Sequence, residues 1–235
     1  MNTLGVIGGM GVQATGRFYR MLMDMQAVAC EQEYLDVLLY SKPSTPDRTA
    51  FITGESTISP LESLQHAAAV LENAGAACIV MPCVTAHYFY DDLSQAVKVP
   101  IINMLEETVR HAAGCGYSKV GLLATDGTVE GRFFHKAFAA HGIETIVPEA
   151  DGQAAVMDLI YAIKRGAYLD IDTGMAPVIH SLQTKGAQAI VLGCTELSLP
   201  KEVRGISCID AMEILAQAAL KACGLPVDRA SITLV

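Results

Sequence analysis

Two cysteines stand where chemistry is expected. Cys83 closes the run Cys78-Ile-Val-Met-Pro-Cys83, and Cys194 closes Ala189-Ile-Val-Leu-Gly-Cys194. A threonine follows each of them, Thr85 and Thr195. A short apolar run bounded by turn residues reads as a buried parallel strand. Whatever follows it sits at the strand's carboxyl end, where open α/β sheets place their ligands. Two thiols aimed at one cleft from opposite sides make an acid and a base. A thiolate on one side removes a proton from a carbon, and the opposite thiol returns one on the other face. The reaction class is racemisation. Cysteine suits it because its free pKa, about 8.5, is lowered near a helix N-terminus.

The elements that must position the two thiols repeat along the chain. Leu71 to Cys83 aligns without a gap on Leu182 to Cys194, with the leucine, the glycine, the Ile-Val pair and the final cysteine coinciding. Thr3-Leu-Gly-Val-Ile-Gly8 and Lys119-Val-Gly-Leu-Leu-Ala124 give a second matching window. Each half opens with an apolar strand entering a turn and later delivers one cysteine. We expect an α/β fold of two similar Rossmann-like or flavodoxin-like domains. Their sheets are mostly parallel, and a pseudo-two-fold leaves a cleft between them. The expected N-terminal lobe is 1–103 plus 208–235 and carries Cys83. The C-terminal lobe is 104–207 and carries Cys194.

In order, the pattern predicts strands at Leu4–Ile7, Tyr34–Tyr40, the first cysteine strand and Val99–Ile102. Helices are predicted at Val12–Ala29, Pro60–Ala74, Thr85–Val97 and Leu105–Ala113. The second half follows with strands at Lys119–Leu123 and Glu144–Val147, the second cysteine strand, and Gly205–Ile209. Its helices are Gly131–His141, Gly152–Lys164, Thr173–Thr184 and a last one to about Ala222. Asp210-Ala-Met-Glu213 has the form of a capping box. The last helix is expected to pack back on the first half and give the lobes a common base.

Two features line the expected cleft. Gly8-Gly-Met-Gly11 is a tight turn between strand and helix, exposing backbone N–H groups to an anion. It lacks the G-x-G-x-x-G spacing of dinucleotide sites, so a carboxylate is the simpler ligand. Ser41 to Thr49 is a polar, proline-containing loop in which Arg48 can hold a carboxylate bidentately. The alternative for Arg48 is a solvated surface arginine, and for Lys164 a cation that favours its helix's C-terminal dipole.

Composition narrows the class. At 235 residues, 51% of them hydrophobic, there is ample apolar surface for a core. A net charge of −9 with no Lys/Arg cluster argues against nucleic acid. No apolar run reaches membrane-spanning length and the start has no signal-peptide form, so we expect a cytoplasmic protein. The odd count of seven cysteines does not read as a disulfide framework. Cys30, Cys78, Cys115, Cys208 and Cys223 read as small core residues. Cys83 and Cys194 fit that description less well, because they sit past a strand rather than within one. Other readings of the pair are a metal site of Cys83, His87 and Cys194, which lacks a fourth ligand, and a Cys83 nucleophile with His87 as base. A repeat with inert cysteines is a further one.

These residues resemble a known family. Gly8-Gly-Met-Gly11, Pro46-Asp-Arg-Thr49, Pro82-Cys83 with Thr85-Ala-His87, Leu123-Ala-Thr125 with Gly127-Thr128, and Gly193-Cys-Thr-Glu-Leu197 are similar to the cofactor-independent aspartate/glutamate racemases. The resemblance runs from Leu4 to about Leu199. It implies two α/β domains around a central cleft, a homodimer, and an acid/base pair at Cys83 and Cys194 that requires no cofactor and no metal. It implies that Arg48 and Lys164 hold the carboxylate of a small dicarboxylic amino acid, aspartate by preference. Met10, Gln13, Thr85, Thr125 and Thr195 complete the substrate-binding set, and His87 and Glu196 tune the thiols. One departure is Val84, where relatives usually have asparagine; Gln13 is a substitute for the lost amide. Glutamate or broader specificity, the maleate isomerase and hydantoin racemase branch, and a non-catalytic bilobed amino-acid-binding protein are the alternatives.

Overall fold

The computed structural model describes residues 2–167, 171–198, 202–203 and 205–227. The first half runs β1 (Leu4–Gly8), α1 (Val12–Asp24), β2 (Val37–Ser41), α2 (Arg48–Ile52), α3 (Leu61–Asn73), β3 (Cys78–Val80), α4 (Tyr90–Ala96) and α5 (Met104–Gly114). The second half runs β4 (Lys119–Ala124), α6 (Asp126–Glu130), α7 (Phe133–Ala139), β5 (Glu144–Ile146), α8 (Ala150–Lys164), α9 (Ile171–Thr184), β6 (Ala189–Gly193), β7 (Glu202–Val203), β8 (Ile206–Asp210) and α10 (Ala211–Ala222).

Two sheets result, with strand orders β2-β1-β3 and β5-β4-β6-β8-β7. All pairings are parallel except β7 with β8. The strands β1 and β6 are buried along their whole length, as apolar runs in doubly covered parallel sheets must be. The registers repeat: Leu4 pairs with Cys78 in the first sheet, and Val120 with Ala189 in the second. The expected α/β architecture of two related parallel-sheet halves is therefore present.

Caps set the helix starts. Asp47 accepts from the Ala50 N–H, Asn103 from Leu105 and Glu106, Thr125 from Thr128, and Asp210 from Met212 and Glu213. One apolar core joins the halves. It contains Leu4, Val6 and Val80 from the first sheet, Val120, Leu122 and Val191 from the second, and Met212, Leu215 and Ala219 from α10. The final helix packs on α1 and α5 and reaches β3 and β6, giving both halves a common base. At its end the Cys223 thiol lies 3.7 Å from that of Cys78. Separate apolar clusters on the outer faces contain Cys83 with Met10, and Cys194 with Leu197.

Several expectations are corrected. Val99–Ile102 forms only a single bridge, Ile79 to Ile101, in place of a strand. The expected helix Thr85–Val97 is a 3-10 turn, Thr85–Phe89, followed by α4. The predicted loop 41–49 ends inside α2. Cys30 and Cys115 are exposed and Cys208 is partly so, unlike the core residues they resembled; Cys78 and Cys223 are buried. The expected lobe boundary between residues 207 and 208 falls within β8, which pairs with β6 of the second sheet. Residues 228–235 of the expected first lobe lie outside the described residues.

Candidate active site

Cys83 and Cys194 each follow a strand and precede a 3-10 turn, Thr85–Phe89 in one half and Thr195–Leu197 in the other. The two are equally shielded, at 6% exposure. Because the turn after Cys83 is 3-10 and α4 begins only at Tyr90, Cys83 does not sit at an α-helix N-terminus. The dipole expected to favour its thiolate acts within a first helical turn and is not positioned to do so.

Lys164 ties the two halves of the site together. It closes α8 and is half-buried, with Nζ 4.7 Å from the centroid of the Tyr161 ring. Burial works to lower its pKa. Cys194, Glu196 and Cys83 outweigh that and raise it, with Arg48 acting in the other direction. A single ammonium thus feels both thiols, one from each half, and the arginine expected to share its ligand.

Arg48 is buried at the start of α2. Its Nη1 donates to the carbonyls of Pro46 at 3.0 Å and Thr45 at 3.4 Å. Its Nε is buried with no partner among the described residues. Buried donors are rarely left unpaired, so this one marks a place for an acceptor. Tyr161, a residue outside the expected site, connects this loop to α8: its hydroxyl donates to Asp47 Oδ2 at 3.5 Å. Burial chiefly raises its pKa, and Lys164 and Arg48 are among the charges that act on it. The signal was its i, i+3 spacing from Lys164 on one helix.

Glu196 stands beside Cys194. Its Oε2 accepts from the Cys194 thiol at 3.0 Å and from the Thr195 hydroxyl at 3.4 Å. Burial is the main cause that pushes the Cys194 thiol well above its ordinary range; Glu196 adds to it, and Lys164 opposes. The other carboxylate oxygen, Oε1, is buried without a partner among the described residues. It lies against Gly11, where an added Cβ would collide with it. Gly11 has φ 102°, a backbone that L side chains rarely adopt, and it begins α1 without a side-chain cap. Glu196 therefore places its own carboxylate where the glycine turn was expected to receive a ligand carboxylate.

A further cross-half contact is neutral. Thr85 of the first half meets Thr125 at 2.9 Å and Thr128 at 3.2 Å, and these two are 3.0 Å apart. Gly127 permits the approach: a Cβ there would stand 2.9 Å from the Thr49 Cα. Thr128 joins the expected Thr85 and Thr125 here; its i, i+3 spacing from Thr125 around a short helix start is the signal for it.

His87 turns both ring nitrogens to the backbone. Its Nε2 faces the Met104 N–H at 3.1 Å, which can only donate, so Nδ1 carries the proton and donates to the Cys83 carbonyl at 2.9 Å. Burial lowers its pKa to about 4, against backbone contacts at Cys83, Ile102 and Val84 that raise it. It holds the backbone of Cys83 and the start of α5, and its ring nitrogens are both used away from the thiol. Met10 is buried in the apolar cluster beside Cys83. Val84 is buried in the central core, where the asparagine of relatives would bring an amide needing partners. Gln13 is exposed and, with Arg17, Ile163, Thr195 and Glu196, lines a groove of about 360 Å³ between α1 and α8. Among the described residues no group of three His, Cys, Asp or Glu could hold a metal, and no helix is long and apolar enough to cross a membrane.

Known proteins share this arrangement of strands and turns. The solved structure of Picrophilus torridus aspartate racemase is 28% identical, covers 98% of each chain and superposes with a TM-score of 0.89. A putative Asp/Glu racemase from Yersinia pestis is 30% identical, covers 95% of this chain and all of its own, with a TM-score of 0.80. The broad specificity amino-acid racemase RacX of Bacillus subtilis is 26% identical over 202 residues, 83% of this chain and 86% of that one. The sequence profile of Asp/Glu/hydantoin racemases matches residues 7–219, spanning both cysteine strands and both cross-half turns, and the chain belongs to that family.

Proposed function

We propose that this protein interconverts L- and D-aspartate by two-base proton transfer at Cα, with Cys83 and Cys194 as the base and acid. The observation that carries this reading is the convergence on Lys164 of a thiol from each half together with Arg48. Membership of the racemase family supports the reaction class, and the similarity to an aspartate racemase supports the substrate.

In this scheme Arg48 and Lys164 hold the side-chain carboxylate. Their positive charge also stabilises the carbanion character that develops at Cα. Thr85, Thr125 and Thr195 supply hydroxyls to the α-carboxylate and amino group. One thiolate takes the Cα proton, and the opposite thiol delivers its own to the other face. The two sulfurs carry both proton transfers, so the scheme calls for no cofactor. We propose a homodimer, as the family resemblance implies, working in the cytoplasm.

A second reading is broader specificity, extending to glutamate or other amino acids. It is favoured by the likeness to RacX; the groove of about 360 Å³ touches the site only at Thr195 and Glu196 and is not lined by Cys83, Cys194, Arg48 or Lys164. The test is incubation of purified protein with single L-amino acids, without cofactor, followed by chiral chromatography. D-aspartate appearing fastest supports the first reading. Comparable turnover of several longer amino acids favours the second. No inversion of any of them contradicts both.

A further inference from the structure

The two halves place different chemistry at one equivalent position. Leu4 pairs with Cys78 and Val120 with Ala189. Counting forward from those registers, Cys83 matches Cys194, Thr85 matches Glu196, and Gly11 matches Gly127. Each 3-10 turn reaches across to the glycine of the other half. The Thr85 Cγ2 lies 3.2 Å from where a Cβ on Gly127 would stand, and the Glu196 Oε1 occupies the same place at Gly11. The contact is symmetric, but the charge is not. Thr85 closes a ring of neutral hydroxyls, whereas Glu196 accepts the Cys194 proton at 3.0 Å. Cys83 Sγ has no such acceptor among the described residues.

Ionising Cys194 would put two negative charges in contact inside the protein, where little water screens them. Lys164 is the cation that opposes this, and it also faces Cys83 and Arg48. It therefore favours a thiolate on either sulfur, and Glu196 decides between them. Burial weighs first on the Cys194 thiol, and the carboxylate adds a charge in direct contact that Cys83 does not meet among the described residues.

We propose that Glu196 is a positioning residue that keeps the proton on Cys194, so that the resting protein holds its acid at Cys194 and its base at Cys83. This rests on the racemase reading for its catalytic meaning. The enantiomer whose Cα–H faces Cys83 is then the one met by the enzyme as it stands. In that turnover the Cα–H bond breaks and its proton goes to the Cys83 sulfur. The electron pair left on Cα takes the proton from Cys194. The enzyme is left with a Cys83 thiol and a Cys194 thiolate beside Glu196. Before the same enantiomer can react again, Cys83 must lose a proton to water and Cys194 must regain one. No electrons are gained or lost, and Glu196 drives this reset.

The test is alkylation by iodoacetamide without substrate at neutral pH, followed at each cysteine by mass spectrometry. The thiolate displaces iodide and forms a sulfur–carbon bond, so the rate reports the ionised fraction. We expect Cys83 to be labelled at least ~10-fold faster than Cys194, since one pKa unit is a factor of ten. Glu196→Gln keeps the shape and removes the charge; it should speed labelling of Cys194 by ~10-fold or more and leave Cys83 nearly unchanged. Equal labelling of the two cysteines in the unaltered protein overturns the inference, and that comparison needs no variant. So does an unchanged Cys194 rate in a Glu196→Gln protein with native circular dichroism. A Cα-exchange assay on the same sample separates the two claims: preferential labelling of Cys83 in a protein that exchanges no Cα hydrogen overturns the racemase reading alone.

Discussion

The Glu196 carboxylate of the second half packs against Gly11 of the first, with one oxygen on the glycine and the other on the Cys194 thiol. The contact makes the glycine turn part of the acid/base machinery of the opposite half. Gly11→Ala should therefore do two things. It should destabilise the fold by about 1–3 kcal/mol through a backbone that L residues avoid, and it should displace Glu196 from Cys194. Urea unfolding measures the first, and the iodoacetamide rate at Cys194 measures the second. A variant with native stability and native Cys194 labelling would contradict the contact.

Lys164 and Arg48 are predicted to recognise the distal carboxylate. Lys164→Met keeps the length and apolar stem of the side chain and removes its charge. Hydrogen bonds to charged groups contribute about 1.5–3 kcal/mol. The KM for aspartate should therefore rise by roughly 10- to 100-fold. The KM for an amino acid without a side-chain carboxylate, such as alanine, should change much less, while kcat falls for both because each thiolate loses the same cation. An equal rise in KM for both would place Lys164 at the α-carboxylate instead.

Two buried groups give stability opposite dependences on pH. His87 is held near 4 when folded, below its ordinary 6.5, because burial disfavours its charged form. Between those values the unfolded chain binds a proton that the folded protein refuses, so this group stabilises more as pH rises. Asp210 is pushed up to about 6 from 3.8, burial outweighing its hydrogen bonds with Ser198, Met212 and Glu213. Between 3.8 and about 6 the folded protein keeps a proton that the unfolded chain releases, so this group stabilises less as pH rises. Each amounts to about 3 kcal/mol at roughly 1.4 kcal/mol per pH unit, and they offset one another. Asp210→Asn, which retains a good helix cap, should lose stability more steeply than the unaltered protein from pH 7 to pH 4. His87→Gln should lose it less steeply. Urea titrations at several pH values check both, and parallel curves for all three proteins would contradict the burial argument.

The hydroxyl ring between the halves should be structural first. Thr128→Val leaves the Thr85 and Thr125 hydroxyls to pair with each other and removes the third. We expect a stability loss of about 1–2 kcal/mol, read by thermal unfolding. Unchanged stability would mean that the ring contributes nothing to holding the halves together.

The repeat made the fold legible. The apolar runs ending at Cys83 and Cys194 fall at β3 and β6, and the window match at Leu4 and Lys119 falls at β1 and β4, because parallel-strand burial leaves a contiguous signal. Short-range caps such as Asp210 were equally readable. What could not be read was anything decided by contact between the halves. The carboxylate seated at Gly11 is Glu196, from 185 residues further along, and no local pattern announces it. Tyr161 is aromatic on a helix, a pattern usually explained by core packing. His87 was read as a partner of the Cys83 thiol because spacing gives proximity but not direction; its ring turns to the carbonyl instead. Val99–Ile102 has strand composition, yet only Ile101 finds a bridge partner.

The central claim is that the two thiols act together on one Cα. The direct measurement is the fate of L-aspartate with the unaltered protein, Cys83→Ser and Cys194→Ser in D2O, without added cofactor, by proton NMR and chiral chromatography. The account predicts D-aspartate carrying deuterium at Cα from the unaltered protein. It predicts a loss of racemisation of at least ~100-fold in each serine variant, the scale of a removed acid or base, with aspartate binding largely retained. Native racemisation by either variant, or binding of aspartate without any Cα exchange in the unaltered protein, would contradict it.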